Sequence, residues 1–155
     1  MRDGLRTSLS NEKFTHFLPL YFGQDKEKTT YLVKKALSMI STGSTKKFHP
    51  NMINEILPKM LLTLMVEITG ESIFNSNKSI KMMIYIHRLI NLMYEQFPEE
   101  RAKIESIIEA FIKDKANRVK DKTANLGELL IYLTLTDKFK WADLRDAFLE
   151  EQLDR

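Results

Sequence analysis

Apolar side chains recur at steps of three and four along most of this 155-residue chain, the spacing that gathers them on one face of an α-helix. The first stripe, Phe14, Phe17, Leu18 and Tyr21, predicts a helix from Asn11 to Phe22. Ser10 serves as its N-cap, Gly23 ends it, and Pro19 predicts a kink or break inside it. A second helix follows Asp25, with Leu32, Val33, Ala36, Leu37 and Ile40 on one face and "STGST" closing it. The third opens at "HPNM", where Pro50 suits the first turn, and carries Ile53, Ile56, Leu57, Met60, Leu61, Leu64, Met65 and Ile68. Pro58 lies within that stripe. An interior proline removes one backbone hydrogen bond and crowds the preceding turn, at a cost of roughly 3 kcal/mol. The pattern therefore predicts a kink between Asn54 and Pro58, or two shorter helices.

"TGESIFNSN" reads as a separator before a fourth helix, Lys78 to Gln96. Its apolar residues, Ile80, Met83, Ile84, Ile86, Leu89, Ile90, Met93 and Tyr94, cover more than one face, which predicts a central, surrounded helix. "FPEE" opens the fifth: Pro98 suits the first turn, and Glu99 and Glu100 suit the positive end of the helix dipole. Ile104, Ile107, Ile108, Phe111 and Ile112 are expected to face inward. A sixth helix runs from Asn125 to Leu135 on Leu126, Leu129, Leu130 and Leu133. Asp137 is expected to cap a last helix lined by Trp141, Leu144 and Phe148. No period-two alternation is long enough for a strand, and no repeat of fixed length is visible. The expected fold is all-α: a single helical bundle or a short HEAT-like α-solenoid of about seven helices, covering residues 1–155 as one domain.

Composition narrows this picture. Cysteine is absent, which excludes disulfides, thiolate metal sites and a cysteine nucleophile. The net charge of +3 is smaller than nucleic-acid modules usually carry. "MRDGLRTSLSNEKF" holds no apolar signal region, and the longest apolar stretch, "MLLTLMVEI", is too short to span a membrane. The expectation is an intracellular, cytoplasmic protein. The abrupt ends, "MRDGL" and "EEQLDR", suggest a domain excised from a longer one.

Candidate chemistry is sparse. His16, His49 and His87 form no HxxxH or HxH pair. His49 stands at a helix entry, and His87 reads as a packed, hydrogen-bonded histidine. Asp143 and Asp146 flank Arg145 on the outer side of the last helix, as solvated charge. No nucleophile elbow, zinc-protease, EF-hand or phosphate-loop signature occurs, so neither catalysis nor a cofactor or metal is expected. Gly127 is read as permitting close helix packing. Met52, Met60, Met65, Met82, Met83 and Met93 are read as core, with an adaptable partner groove as the alternative.

The feature most open to a functional reading is "IKDKANRVKDKTANLGELL". Lys113, Lys115, Arg118, Lys120 and Lys122 fall within ten residues, partly offset by Asp114 and Asp121. No aromatic residue is interleaved for base stacking. The leading reading is a solvated helix end and link. Docking on an acidic protein is second, and nucleic acid third.

"LSNEKFTHFLPLYF", "FHPNMINEILPKMLLTLMVEI" and "NRVKDKTANLGELLIYLTLTDKFKWADL", with the closing "LDR", together resemble an all-helical domain that accompanies ubiquitin-conjugating-enzyme-like domains in large eukaryotic proteins. The likeness covers most of the chain and rests on helix-packing motifs. It implies a partner-binding or scaffolding role beside ubiquitin chemistry. It gives no residue here a catalytic role, because that family's catalytic cysteine belongs to a different domain. A second likeness, to HEAT-type adaptor domains of the translation and mRNA-handling machinery, makes "LGELLIYLTLTD" one helix of a pair. The expected function is a non-catalytic protein-interaction or scaffolding domain. The alternative is an RNA-associated helical adaptor using the 113–122 cluster.

Overall fold

The computed structural model describes residues 25–40, 47–70 and 73–155, the last stretch with side chains from Asn77 onward. The helix expected over Asn11–Phe22, with His16 and Pro19, lies outside the described residues, as does "STGST". Among the described residues the fold is all-helical, with no strand. The elements are α1 (Lys26–Ile40), α2 (Asn51–Gly70), α3 (Ile73–Gln96), α4 (Pro98–Lys113), a 3-10 turn (Lys115–Asn117), α5 (Leu126–Thr134) and α6 (Trp141–Asp154). The chain divides into two compact units, residues 1–49 and 50–155.

In the first unit, Asp25 opens α1: its Oδ1 accepts from the Lys28 amide at 3.0 Å. Thr29, Val33, Ala36 and Leu37 are buried at spacings that make one stripe, while Ile40 is exposed. The Thr29 and Thr30 hydroxyls donate to the carbonyls of Asp25 and Lys26, so neither is buried unsatisfied. Lys34 sits 5.7 Å from the centre of the Phe48 ring.

In the second unit, α2 and α3 form an antiparallel hairpin, with Tyr94 near the end of α3 meeting Asn54 near the start of α2. α2 runs through Pro58 without breaking, so two shorter helices do not form. The proline withholds the hydrogen bond that the Asn54 carbonyl would receive. Pro58 is itself buried between Leu57 and Leu61, and burial of this stripe carries the helix across the gap. α3 begins at Ile73 rather than Lys78, because "IFNSN" contains no glycine or proline to stop it. α3 ends at Gln96, where Pro98 biases Phe97 away from helical geometry (φ −127°, ψ 69°).

The expectation that this helix is surrounded holds for its second half. Ile86, Leu89, Ile90, Leu92, Met93 and Tyr94 are buried, whereas Ile80 and Ile84 are exposed. It is α4 that touches every other element of the unit. Its Ile104, Ile108 and Phe111 are buried, and Ile107, expected inward, is exposed. Phe111 and Ile108 join Leu129, Leu144, Ala147 and Phe148 in a core shared by α4, α5 and α6. Gly127 lets α5 approach α2 closely: a Cβ there would lie 2.9 Å from Leu62 Cδ1. Asp137 does not cap α6. The helix starts at Trp141, and the Asp143 carboxylate reaches back to accept from the Lys140 amide at 2.8 Å. Met52 and Met93 are buried and Met60, Met65, Met82 and Met83 half-buried, so the methionines pack into the body of the fold.

Leu89 is fully buried on α3. Leu89→Ala is expected to cost about 2–5 kcal/mol in a urea denaturation curve. A loss below about 1 kcal/mol would place Leu89 outside the core.

Candidate functional site

The basic cluster begins where α4 ends. The last carbonyls of a helix have no partner within it, and many helices satisfy them with a glycine in left-handed geometry. Here no glycine follows Lys113. Asp114 leaves the helix extended, and its amide donates to the Ala110 carbonyl. Asn117 Nδ2 donates to the same carbonyl at 3.2 Å. Arg118 completes the cap: Nε donates to the Phe111 carbonyl at 2.8 Å and Nη2 to the Ile112 carbonyl at 3.2 Å. Its guanidinium also packs over the Phe111 ring and pairs with Glu150 of α6 at 2.6 Å.

Arg118 is therefore an interior residue, 8% exposed. This corrects its place in a solvated link. Its neighbours are spent in the same direction. Lys113 pairs with Glu109 at 2.6 Å, and Lys115 with Glu150 and Asp154, each at 3.0 Å. Lys122 donates to Asn117 Oδ1 at 3.0 Å. Lys120 remains an exposed cation.

A second arginine closes the link from the far end. Arg155 donates through Nη2 to the carbonyls of Arg118 and Thr123, at 2.9 and 2.6 Å, and through Nε to Glu151 at 2.9 Å. The Thr123 hydroxyl donates to the Asn117 carbonyl, and Asn125 Oδ1 accepts from Gly127 and Glu128 to open α5. Four of the five cations of the cluster are committed to partners within the fold. The structure uses Arg118 to cap a helix and Lys115 to tie the link to α6, while Lys113 pairs along its own helix.

A second polar group lies at the opposite end of α4. Glu100 is 1% exposed, which the helix-dipole reading did not anticipate. Its Oε2 accepts from Asn54 Nδ2 at 3.0 Å, and its Oε1 from Lys103 at 2.6 Å. Asn54 Nδ2 also reaches the Glu100 carbonyl, while Asn54 Oδ1 accepts from the Tyr94 hydroxyl. Burial pushes the Tyr94 phenol well above its usual pKa, against the opposing pull of Arg101, so it stays a donor. With both carboxylate oxygens engaged, the group works as a tie between α2, α3 and α4. His87 is half-buried. Its Nε2–H donates to the Thr134 carbonyl at 2.9 Å, and Nδ1 accepts from Asn91 at 3.2 Å. That fixes its tautomer and joins α3 to the end of α5.

Among the described residues, no three His, Asp or Glu side chains gather as a metal set, and no helix is long and apolar enough to cross a membrane. A depression of about 200 Å³ between the link and α5 is lined by Ile107, Thr123 and Tyr132. It is smaller than usual small-molecule sites. The Tyr132 hydroxyl there donates to Glu128 at 2.7 Å. No family model, curated protein or solved structure matches the chain.

Two measurements check this site. Arg118→Gln is expected to lower stability by about 2–3 kcal/mol, because buried charge-assisted hydrogen bonds are lost, whereas Lys120→Gln should change it by less than about 0.5 kcal/mol. Equal effects in denaturant titrations would contradict the cap. Hydrogen bonds from Lys115 and Arg118 hold the Glu150 carboxyl below its ordinary value of 4.5. A depressed carboxylate contributes its stability above the unfolded value and loses it as pH falls through the folded one. The urea midpoint should thus drop below about pH 4.5, and Glu150→Gln should flatten part of that drop. An unchanged pH profile in that variant would remove Glu150 from the account.

Proposed function

We propose that the chain is a non-catalytic protein-interaction or scaffolding domain. The observation that carries this reading is a set of large apolar side chains left on the surface of the second unit. Val66, Ile80 and Ile84 of the α2–α3 hairpin are each more than 40% exposed. Exposed apolar residues at helical spacing favour association with another protein. The resemblance to helical domains that accompany ubiquitin-conjugating-enzyme-like domains supports placing that role beside ubiquitin chemistry.

The alternative, an RNA adaptor gripping through residues 113–122, is weakened by the geometry of the link. Phosphate contacts require cations that can turn outward, and Arg118 is committed to the α4 carbonyls.

Affinity capture on the immobilised chain, followed by reconstitution with the purified partner, is expected to give a direct protein–protein complex. Recovery of RNA alone, with binding that falls steeply with salt and is lost on Lys120→Gln with Lys122→Gln, would favour the adaptor reading instead.

A further inference from the structure

A basic surface of the second unit lies on α3. Between Ile73 and Tyr94 there is no aspartate or glutamate. Lys78, Lys81 and Arg88 are all exposed on this helix, and none has a hydrogen-bond or ion-pair partner among the described residues. At 100° per residue, Ile80, Ile84 and Arg88 follow one another in steps of four, Lys81 lies three residues before Ile84 on the adjoining row, and Lys78 falls well round the helix from Ile80. Ile80 is 43% exposed and Ile84 46%. One helix face thus presents two isoleucines a turn apart, bordered by Lys81 and Arg88, which have no partner among the described residues.

We infer that this face of α3 docks an acidic amphipathic segment of a partner protein. The segment would place apolar side chains one turn apart on the two isoleucines and carboxylates against Lys81 and Arg88. The inference rests on the interaction reading above and names its surface and the partner's chemistry. Each component of the face selects that occupant. The cations require negative charge, and none of their hydrogen-bonding capacity is used by a partner among the described residues. The isoleucines gain nothing from phosphates, and Tyr85, the aromatic ring next to Ile84, is half-buried and not open for a base to stack on. A lipid surface calls for a wider apolar stripe with aromatic anchors.

A second copy of this chain is the nearest rival. α6 carries exposed Leu149 and Leu153 one turn apart, among Asp146, Glu150 and Asp154. Those three acids are already paired, with Arg145, with Lys115 and Arg118, and with Lys115 respectively. Docking α6 on α3 would have to break pairs that hold the link in place. A separate partner has no such cost.

The test uses the full chain and a synthetic helix-forming peptide of about 18 residues, with leucines in steps of three and four flanked by glutamates. Titration calorimetry should show binding that weakens with added salt and is absent for a scrambled peptide of the same composition. Two double variants should each lower affinity about tenfold or more: Lys81→Glu with Arg88→Glu, and Ile80→Ser with Ile84→Ser. Lys120→Gln with Lys122→Gln should leave it unchanged. All substituted side chains are exposed, and circular dichroism verifies the helical fold.

Equal binding of the scrambled peptide would overturn the proposal, as would indifference to either α3 pair. Tighter binding of single-stranded RNA or of phosphatidylserine vesicles, lost with Lys81 and Arg88 but not with Ile80 and Ile84, would assign the face to that ligand instead. Self-association in sedimentation, abolished by the α3 variants, would assign it to a second copy. A purified native partner that binds both α3 variants undiminished would overturn this surface while leaving the interaction reading standing.

Discussion

The C-terminal end of α4 is the constraint around which the second unit is arranged. Three carbonyls, of Ala110, Phe111 and Ile112, come to the end of the helix without a glycine to turn the chain back on them. They are met instead by the Asp114 amide, the Asn117 side chain and Arg118. Because Arg118 must reach back seven residues to Phe111, the link folds under the helix instead of projecting from it. Glu150 then fixes the position of α6, and Arg155 ties the link's own carbonyls to the end of that helix. The apolar core of Phe111, Leu129, Leu144 and Phe148 closes inside this frame.

The frame changes what the charges on the chain can do. A run of five cations in ten residues draws attention by density alone. Density is not availability: a cation used as a cap or an internal ion pair is poorly placed to bind anything else. Lys81 and Arg88 are surrounded by apolar letters, yet they share a face with Ile84 and have no partner among the described residues.

Much of the helical layout was legible in the sequence, because strong periodicity marks long helices whatever their neighbours are. Most of the described helix boundaries fall within a few residues of expectation, and Asn125 opens α5 as its side chain allows. The misses have physical causes. "IFNSN" is polar enough to resemble a loop, but polar residues are tolerated in a helix that lacks glycine and proline. Pro58 sits in a stripe whose burial outweighs one missing hydrogen bond. Ile80, Ile84 and Ile107 are exposed: apolar letters do not say which side a neighbour will cover. The polar tie at Glu100 joins residues 46 positions apart, and no local pattern announces such a contact. The role of Arg118 had one readable signal: a helix ending at Lys113 with no glycine after it needs another source of donors, and Lys115, Asn117 and Arg118 are the side chains close by that can supply them.

The central claim is that Arg118 is an interior cap and not part of a binding surface. Hydrogen exchange of arginine side chains, followed by nitrogen-15 NMR on the full chain, tests it most directly. The Nε–H of Arg118 should exchange slowly and show contacts to the Phe111 ring, while that of the exposed Arg88 should exchange rapidly with water. Exchange of Arg118 as fast as that of Arg88 would contradict the account, because it would show the guanidinium in solvent and the end of α4 held by something else.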